Sequence, residues 1–254
     1  MSMIQYFETH IEDACNLKCR GCSHFSGLVK KARPKDLADF EKEFARISEI
    51  EDVRTIRLMG GEPLVNPRFM EYLRIARKYF PDTHLVLVTN GLLLERLIPH
   101  REELARLEID VTMSDYHLDR QDRSILRSMP ISEAHEKGML YNISLDLEGA
   151  QDPQRAFDFC DLHQNSWYFL RDGRFYPCCV AGCIRDFWEH FDLDFGFTQE
   201  DLGIDIFTHS AEEIEAFLQQ PIKLCRFCDT EERQRSYMPF GTSKGEIAEW
   251  LKSI

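Results

Sequence analysis

Nine cysteines stand in this 254-residue chain, and their spacings are the first sign of chemistry. Cys15-Asn16-Leu17-Lys18-Cys19-Arg20-Gly21-Cys22 places three thiols within eight residues. A loop of that length can wrap one metal centre. Zinc would need a fourth ligand, which His10 or His24 could supply. A [4Fe–4S] cube normally takes four cysteines, so three would leave one iron free to bind something else. The second set is spread out. Cys160 is followed by twelve residues, Gly173, four residues and Cys178, and Cys225-Arg226-Phe227-Cys228 comes later. These four thiols could close on zinc or on an iron–sulfur cluster. Cys179 and Cys183 are left over and fit plain buried thiols, or one of them could stand in for Cys160.

Other residues stand where segments end. Gly60-Gly61-Glu62-Pro63 follows an apolar run; alone it reads as a strand-to-helix turn. Thr89-Asn90-Gly91 ends another, where Asn90 could cap a helix. Ser114 ends a third and reads equally as a loop serine. Asp115, Tyr116 and His117 follow it and are weak candidates for a catalytic base, against the plainer reading of solvated loop residues. Arg171 and Asp172 read as turn residues.

The elements that must position these groups alternate in period. Ile4–Thr9, Val53–Met59, Leu85–Thr89, Ile109–Met113 and Leu140–Leu145 read as strands, with a possible short one at Ile131–Ala134. Asp36–Ile50, Asn66–Phe80, Gly91–Leu107 and Asp119–Ser128 read as helices between them, the third broken at Pro99. Asn66 could cap the second, with Pro67 in its first turn. Alternating βα units imply a parallel sheet covered on both faces. About 150 residues are too few for a closed eight-stranded barrel, so the expected class is α/β, a partial (β/α)6 TIM-like barrel. The pattern changes near residue 150. Ser166–Tyr176 reads as a hairpin turning at Asp172-Gly173, and Ala211–Gln219 and Ser243–Leu251 as short helices. The expected division is a barrel over 1–150 and a small cysteine-rich hairpin-plus-helix subdomain over 151–254.

Composition excludes several classes. A net charge of −13 disfavours nucleic acid and anionic membranes as partners. A hydrophobic content of 43% disfavours disorder. No apolar run reaches membrane-spanning length. The start, Met1-Ser2-Met3-Ile4-Gln5-Tyr6-Phe7-Glu8, lacks the features of an export signal, so the expected location is cytoplasmic and the cysteines are expected to bind metal rather than form disulfides.

With both motifs in view, Cys15-x3-Cys19-x2-Cys22 after a first strand and Gly60-Gly61-Glu62-Pro63 after a second, the chain resembles the radical S-adenosylmethionine (SAM) superfamily. The resemblance implies a [4Fe–4S] cluster on Cys15, Cys19 and Cys22, with SAM chelated at the open iron. It implies reductive cleavage of SAM to a 5′-deoxyadenosyl radical that abstracts a substrate hydrogen atom, with a flavodoxin- or ferredoxin-type reductant as partner. Gly60 and Gly61 would let backbone approach the ligand, Glu62 or adjacent backbone would receive the SAM ammonium, and Asn90 and Ser114 resemble positions facing ribose and methionine. The family often carries an aromatic residue just before the third cysteine, near adenine. Here Gly21 stands there, with Phe25 or Tyr6 as possible substitutes.

The second cysteine set resembles the twitch, a shortened SPASM subdomain of many radical SAM enzymes. That resemblance implies one auxiliary [4Fe–4S] cluster on Cys160, Cys178, Cys225 and Cys228. Fully ligated by protein, such a cluster is suited to accept an electron. The layout is similar to that of radical SAM dehydrogenases that oxidise an aminocyclitol hydroxyl. The expected function is therefore an oxidoreductase acting on a small polyol, sugar or aminocyclitol. The alternative is a peptide-modifying epimerase or crosslinking enzyme, disfavoured because Cys15 leaves little room for a preceding recognition domain. A non-catalytic iron–sulfur carrier would not need Gly60–Pro63.

Overall fold

The computed structural model describes residues 4–129, 132–136, 139–141, 143–233 and 237–252. Met1–Met3, Ile131 and Asn142, which fall in segments read above, lie outside the described residues. The chain divides into two compact units: Met3–Asn16 with Ala32–Gly138, and Leu17–Lys31 with Met139–Ile254. The division thus falls at 138/139 rather than near 150, and the second unit takes the segment that carries Cys19 and Cys22.

In the first unit, β1 (Tyr6–Glu12), α1 (Leu37–Ile50), β2 (Thr55–Gly60), α2 (Phe69–Tyr79), β3 (His84–Thr89), α3 (Arg101–Arg106), β4 (Ile109–Asp115), α4 (Arg123–Arg127) and β5 (Ser132–Glu136) follow in order. Each strand pairs in parallel with the next, as in Phe7↔Ile56, Leu58↔Leu87, Val111↔Leu87 and Met113↔Ala134. Among the described residues β5 does not return to β1, so the sheet is open. This is the α/β partial barrel expected, with five parallel strands rather than six. The run read as a sixth strand, Leu140–Leu145, gives only β6 (Met139–Tyr141), which pairs antiparallel with a later strand.

Helix α1 forms because Asp36 accepts hydrogen bonds from Ala38 N and Asp39 N, and its apolar stripe Phe40, Phe44 and Ile47 is fully buried. The Phe40 and Phe44 rings stack 4.1 Å apart, and Tyr72 and Phe80 meet them edge-on; such aromatic pairs add about 0.5–1.5 kcal/mol beyond area burial. Helix α2 starts three residues later than expected. Asn66 is drawn elsewhere: its Nδ2 donates to Ile11 O at 3.2 Å, while its Oδ1 accepts from Arg68 N. Leu94–His100 forms a 3-10 turn around Pro99 before α3, as the missing N–H of proline requires.

The second unit holds β6, α5 (Pro153–Asp158), α6 (Asp161–Gln164), β7 (Tyr168–Arg171), β8 (Arg174–Tyr176), α7 (Cys179–Phe191), β9 (Ile204–Asp205), α8 (Ala211–Leu218), α9 (Thr230–Arg233) and β10 (Tyr237–Pro239). Strands β7, β8 and β9 form an antiparallel ladder. The hairpin turns at Asp172 (φ 49°) and Gly173 (φ 72°), both left-handed as a type I′ turn demands. Arg171 is more than a turn residue: it is largely buried, with Nη1 3.1 Å from Asp186 Oδ2. Phe25, Phe169, Phe187, Trp250 and the apolar face of α7 form the core. No helix among the described residues is long and apolar enough to cross a membrane.

Candidate functional site

The first unit gathers its candidate residues where β1, β2, β3 and β4 end. The backbone after β2 lies against the backbone leading to Cys15. Gly61 N donates to Glu12 O and Glu62 N to Ala14 O, both at 2.8 Å. A Cβ on Gly60 would stand 2.1 Å from Glu12 O, and one on Gly61 2.5 Å from Asp13 O and Ala14 O. The two glycines are thus needed for a backbone-to-backbone approach, which fixes how the chain enters the cysteine loop.

Glu62 is fully buried. Its Oε1 accepts from Leu64 N (3.0 Å) and Thr89 Oγ1 (2.7 Å), and its Oε2 from Asn90 N (2.7 Å). Burial pushes the carboxyl up to about 7, against the pull of those three donors. Through these bonds Glu62 ties the end of β2 to the end of β3. Pro63 opens the buried 3-10 turn Pro63–Val65 that follows.

Asn90 closes a local turn and reaches the chain leading into the cysteine loop. Its Oδ1 accepts from Leu92 N as a local cap, while its Nδ2 donates to Asn16 Oδ1 at 2.7 Å and lies 3.8 Å from Cys15 Sγ. Gln121, which carried no signal in the sequence, is the link between strand ends. It is 3% exposed. Its Nε2 donates to Asn90 O and Ser114 O, and its Oε1 accepts from Tyr116 N and Leu118 N. Ser114 joins this network through its carbonyl. A glutamine with all its bonding capacity used is a structural brace.

Asp115 is a poor base. Arg123 grips both its oxygens at 2.6 and 2.7 Å, His117 N donates to Oδ1, and Arg123 holds the carboxyl below its usual range. His117 sits half-exposed in a left-handed turn, and Tyr116 is fixed by its backbone to Gln121. The aromatic substitutes for Gly21 also fall away. Phe25 is fully buried in the second unit, 5.3 Å from Phe187 and 6.4 Å from Trp250. Tyr6 opens β1 at the end of the sheet opposite the cysteine loop, with its ring under Arg57.

In the second unit, Leu17–Lys31 is held by the distal part of the chain. Ser243 N donates to Lys18 O, Arg20 N to Gly241 O, and Trp250 Nε1 to Cys22 O at 3.0 Å. Cys19 bridges Thr242. No local signal marks this pairing, because isolated bridges carry no periodic pattern.

The four distal cysteines come together in the second unit, each at an element boundary. Cys160 precedes α6 as its N-cap. Cys178 is the N-cap of α7, with Sγ accepting from Ala181 N at 3.4 Å. Cys225 and Cys228 lie on and just after the 3-10 turn Lys223–Phe227, where Leu145 bridges Cys228. Burial pushes the Cys178, Cys225 and Cys228 thiols up to about 12, and neighbouring members of the set raise each further: Cys160 and Cys228 act on Cys178, Cys178 and Cys160 on Cys225, Cys225 and Cys160 on Cys228. Thiols this close repel one another once ionised. A bound metal centre removes the conflict, because its positive charge displaces the protons. The donor set therefore fits a fully protein-ligated iron–sulfur cluster. One cation already faces it: Arg233, 4% exposed, donates from Nη2 to Cys160 Sγ at 2.8 Å. Cys179 and Cys183 are buried on α7 in the apolar core.

The sheet of strand ends in the first unit is the part of the chain that matches a known family model. The Radical SAM superfamily model matches residues 11–130, so this segment is similar to that family. Curated relatives include GTP 3′,8-cyclase of Microcystis aeruginosa, 29% identical over 128 residues, or 49% of this chain and 39% of that protein. GTP 3′,8-cyclase of Alkaliphilus oremlandii is 27% identical over 142 residues, or 52% and 42%. The chain thus spans about two fifths of the length of these relatives. Among solved structures, BtrN in complex with AdoMet and 2-DOIA is similar in fold, with a TM-score of 0.53 at 16% identity over 92% of this chain and 98% of that one.

Proposed function

We propose that this chain is a radical SAM oxidoreductase that uses an auxiliary iron–sulfur cluster to take the second electron from a small polyol, sugar or aminocyclitol. The observation that carries this reading is the convergence of Cys160, Cys178, Cys225 and Cys228 beside the buried Arg233. A centre closed by four thiolates has no open position for substrate, which leaves electron transfer as its use. Cys15, Cys19 and Cys22 would hold the first cluster. When bound, that cluster and SAM supply the 5′-deoxyadenosyl radical that abstracts a substrate hydrogen atom.

The protein's own residues bind and orient. Gly60 and Gly61 bring the end of β2 against the chain entering the cysteine loop, leaving backbone beside Pro63 for the amino-acid part of SAM. Asn90 reaches the loop at Asn16. Glu62 and Gln121 hold these strand ends in register. Asp115, paired with Arg123, is a charged brace rather than a proton acceptor. A flavodoxin- or ferredoxin-type protein would supply the electron, and the expected setting is the cytoplasm. The cyclase relatives align over about half of the chain, so they support the radical chemistry and leave the substrate open.

Anaerobic reconstitution tests the reading. Two four-iron clusters require about eight irons per chain, and dithionite with SAM should yield 5′-deoxyadenosine. Cys19→Ala should abolish that product. Cys225→Ala should retain it while blocking net oxidation of a substrate found by deuterium transfer into 5′-deoxyadenosine. About four irons, or full turnover in Cys225→Ala, would overturn the dehydrogenase reading.

A further inference from the structure

Arg233 stands out in the second unit because no sequence pattern marks it and a buried guanidinium is costly unless something anionic answers it. It is the last residue of α9, its backbone N bonded to Asp229 O at 3.0 Å. That short turn follows directly on the segment bearing Cys225 and Cys228, so the arginine is carried back over the thiol pocket. Its Nη2 is 2.8 Å from Cys160 Sγ and 2.9 Å from Asp161 Oδ1. Its Nε is buried with no hydrogen-bond partner, so one donor remains for whatever fills the pocket. Lysine would keep the charge but lacks the planar group whose Nη2 and Nε are both held in the pocket.

We infer that Arg233 is the residue that sets the reduction potential of the auxiliary centre, raising it through its fixed charge and its hydrogen bond to Cys160, with Asp161 as the opposing charge that limits the rise. The inference rests on the auxiliary-cluster reading given above. Its logic is electrostatic. One-electron reduction makes the centre more negative by one charge, with no bond made or broken in the protein. A cation held against a ligand sulfur stabilises the reduced form more than the oxidised form, and so do hydrogen bonds to cluster sulfurs. A carboxylate two bonds further out does the reverse. The pair therefore gives a centre poised to receive an electron, as the proposed oxidation requires. Arg233 acts through Cys160 and is a positioning residue.

The two charges predict shifts of opposite sign. The full chain carrying Cys15→Ala, Cys19→Ala and Cys22→Ala would present the auxiliary centre alone to a dithionite-mediated redox titration read by electron paramagnetic resonance. In that background Arg233→Gln should lower the midpoint so that at least tenfold less cluster is reduced at a given potential, about 59 mV for one electron. Arg233→Lys should fall between. Asp161→Asn, which preserves shape, should shift the midpoint upward. If Arg233→Gln fails to assemble a cluster, the Asp161→Asn result decides: an upward shift supports the inference, and no shift or a downward one overturns it. Unchanged midpoints in variants that hold four irons would overturn the role of Arg233 and leave the cluster reading standing. A background protein that binds no iron would overturn the cluster reading itself.

Discussion

The two candidate regions are built on opposite principles. In the first unit, the strand ends are joined by dense, satisfied hydrogen bonding: Glu62 to three donors, Gln121 to four partners, and two glycines that admit backbone against backbone. The region is complete without a ligand, so it can present a cradle that is rigid before SAM arrives. In the second unit, four thiols converge beside a buried arginine that Cys160 and Asp161 answer. On the proposed reading, that region is finished by a metal centre. One site is preorganised by the protein; the other depends on its occupant.

The comparison can be broken most directly by removing metal. Anaerobic chelation should destabilise the second region on the order of 10 kcal/mol, as in other sites that fold on metal binding, and leave the first intact. Hydrogen exchange should rise over Cys160–Arg233 and stay low over Thr55–Gly60. Equal protection of both regions after iron removal would refute the contrast. Next in size, Gly60→Ala drives a Cβ into a backbone oxygen 2.1 Å away. The cost should be about 3 kcal/mol, seen as a lower urea midpoint. A neutral substitution would show that the close approach relaxes freely.

Glu62→Gln should cost about 1–3 kcal/mol, because one of its donors loses an acceptor. The pH dependence has a definite sign. A carboxyl raised from 4.5 to about 7 on folding binds more protons in the folded state within that window. Its contribution to stability is therefore present below about 4.5 and is lost as pH rises through about 7. The stability gap between wild type and Glu62→Gln should narrow over that range; a widening gap would mean that the three donors outweigh burial. The smallest effect is expected at the rim. Asp115→Asn weakens the pair of buried Asp115 with the more exposed Arg123, which should cost about 1 kcal/mol and leave 5′-deoxyadenosine formation unchanged. Loss of that product would restore Asp115 to the active centre.

Much of the first unit was legible because its signals are periodic. The apolar stripe of α1, the β-branched run of β3 and the Asp172-Gly173 turn each follow from local stereochemistry. The four distal cysteines were also legible, since ligand spacing survives any amount of intervening chain. What escaped was set by distant partners. Helix α7 was missed although Val180, Ile184 and Phe187 repeat at helical spacing, because Cys178, Cys179 and Cys183 drew attention to metal instead. Glu62 was read as facing ligand, and only the position of Thr89 and Asn90 shows it turned inward. Phe25 was read as exposed for stacking, whereas Phe187 and Trp250 bury it. Gln121 and Arg233 had no local signal, since neither a brace nor a counter-charge requires a fixed spacing.

The second set of thiols has a consequence for biogenesis. Its members sit on four boundaries from Cys160 to Cys228, and the arginine that faces them lies beyond the last. As the chain leaves the ribosome, Cys15, Cys19 and Cys22 emerge together, while the distal pocket cannot close until Arg233 is out. Iron delivered early can reach only the first loop. If both clusters form as proposed, they must therefore be inserted in two visits, and a nascent chain stalled before α9 would expose partly assembled thiols to oxidation.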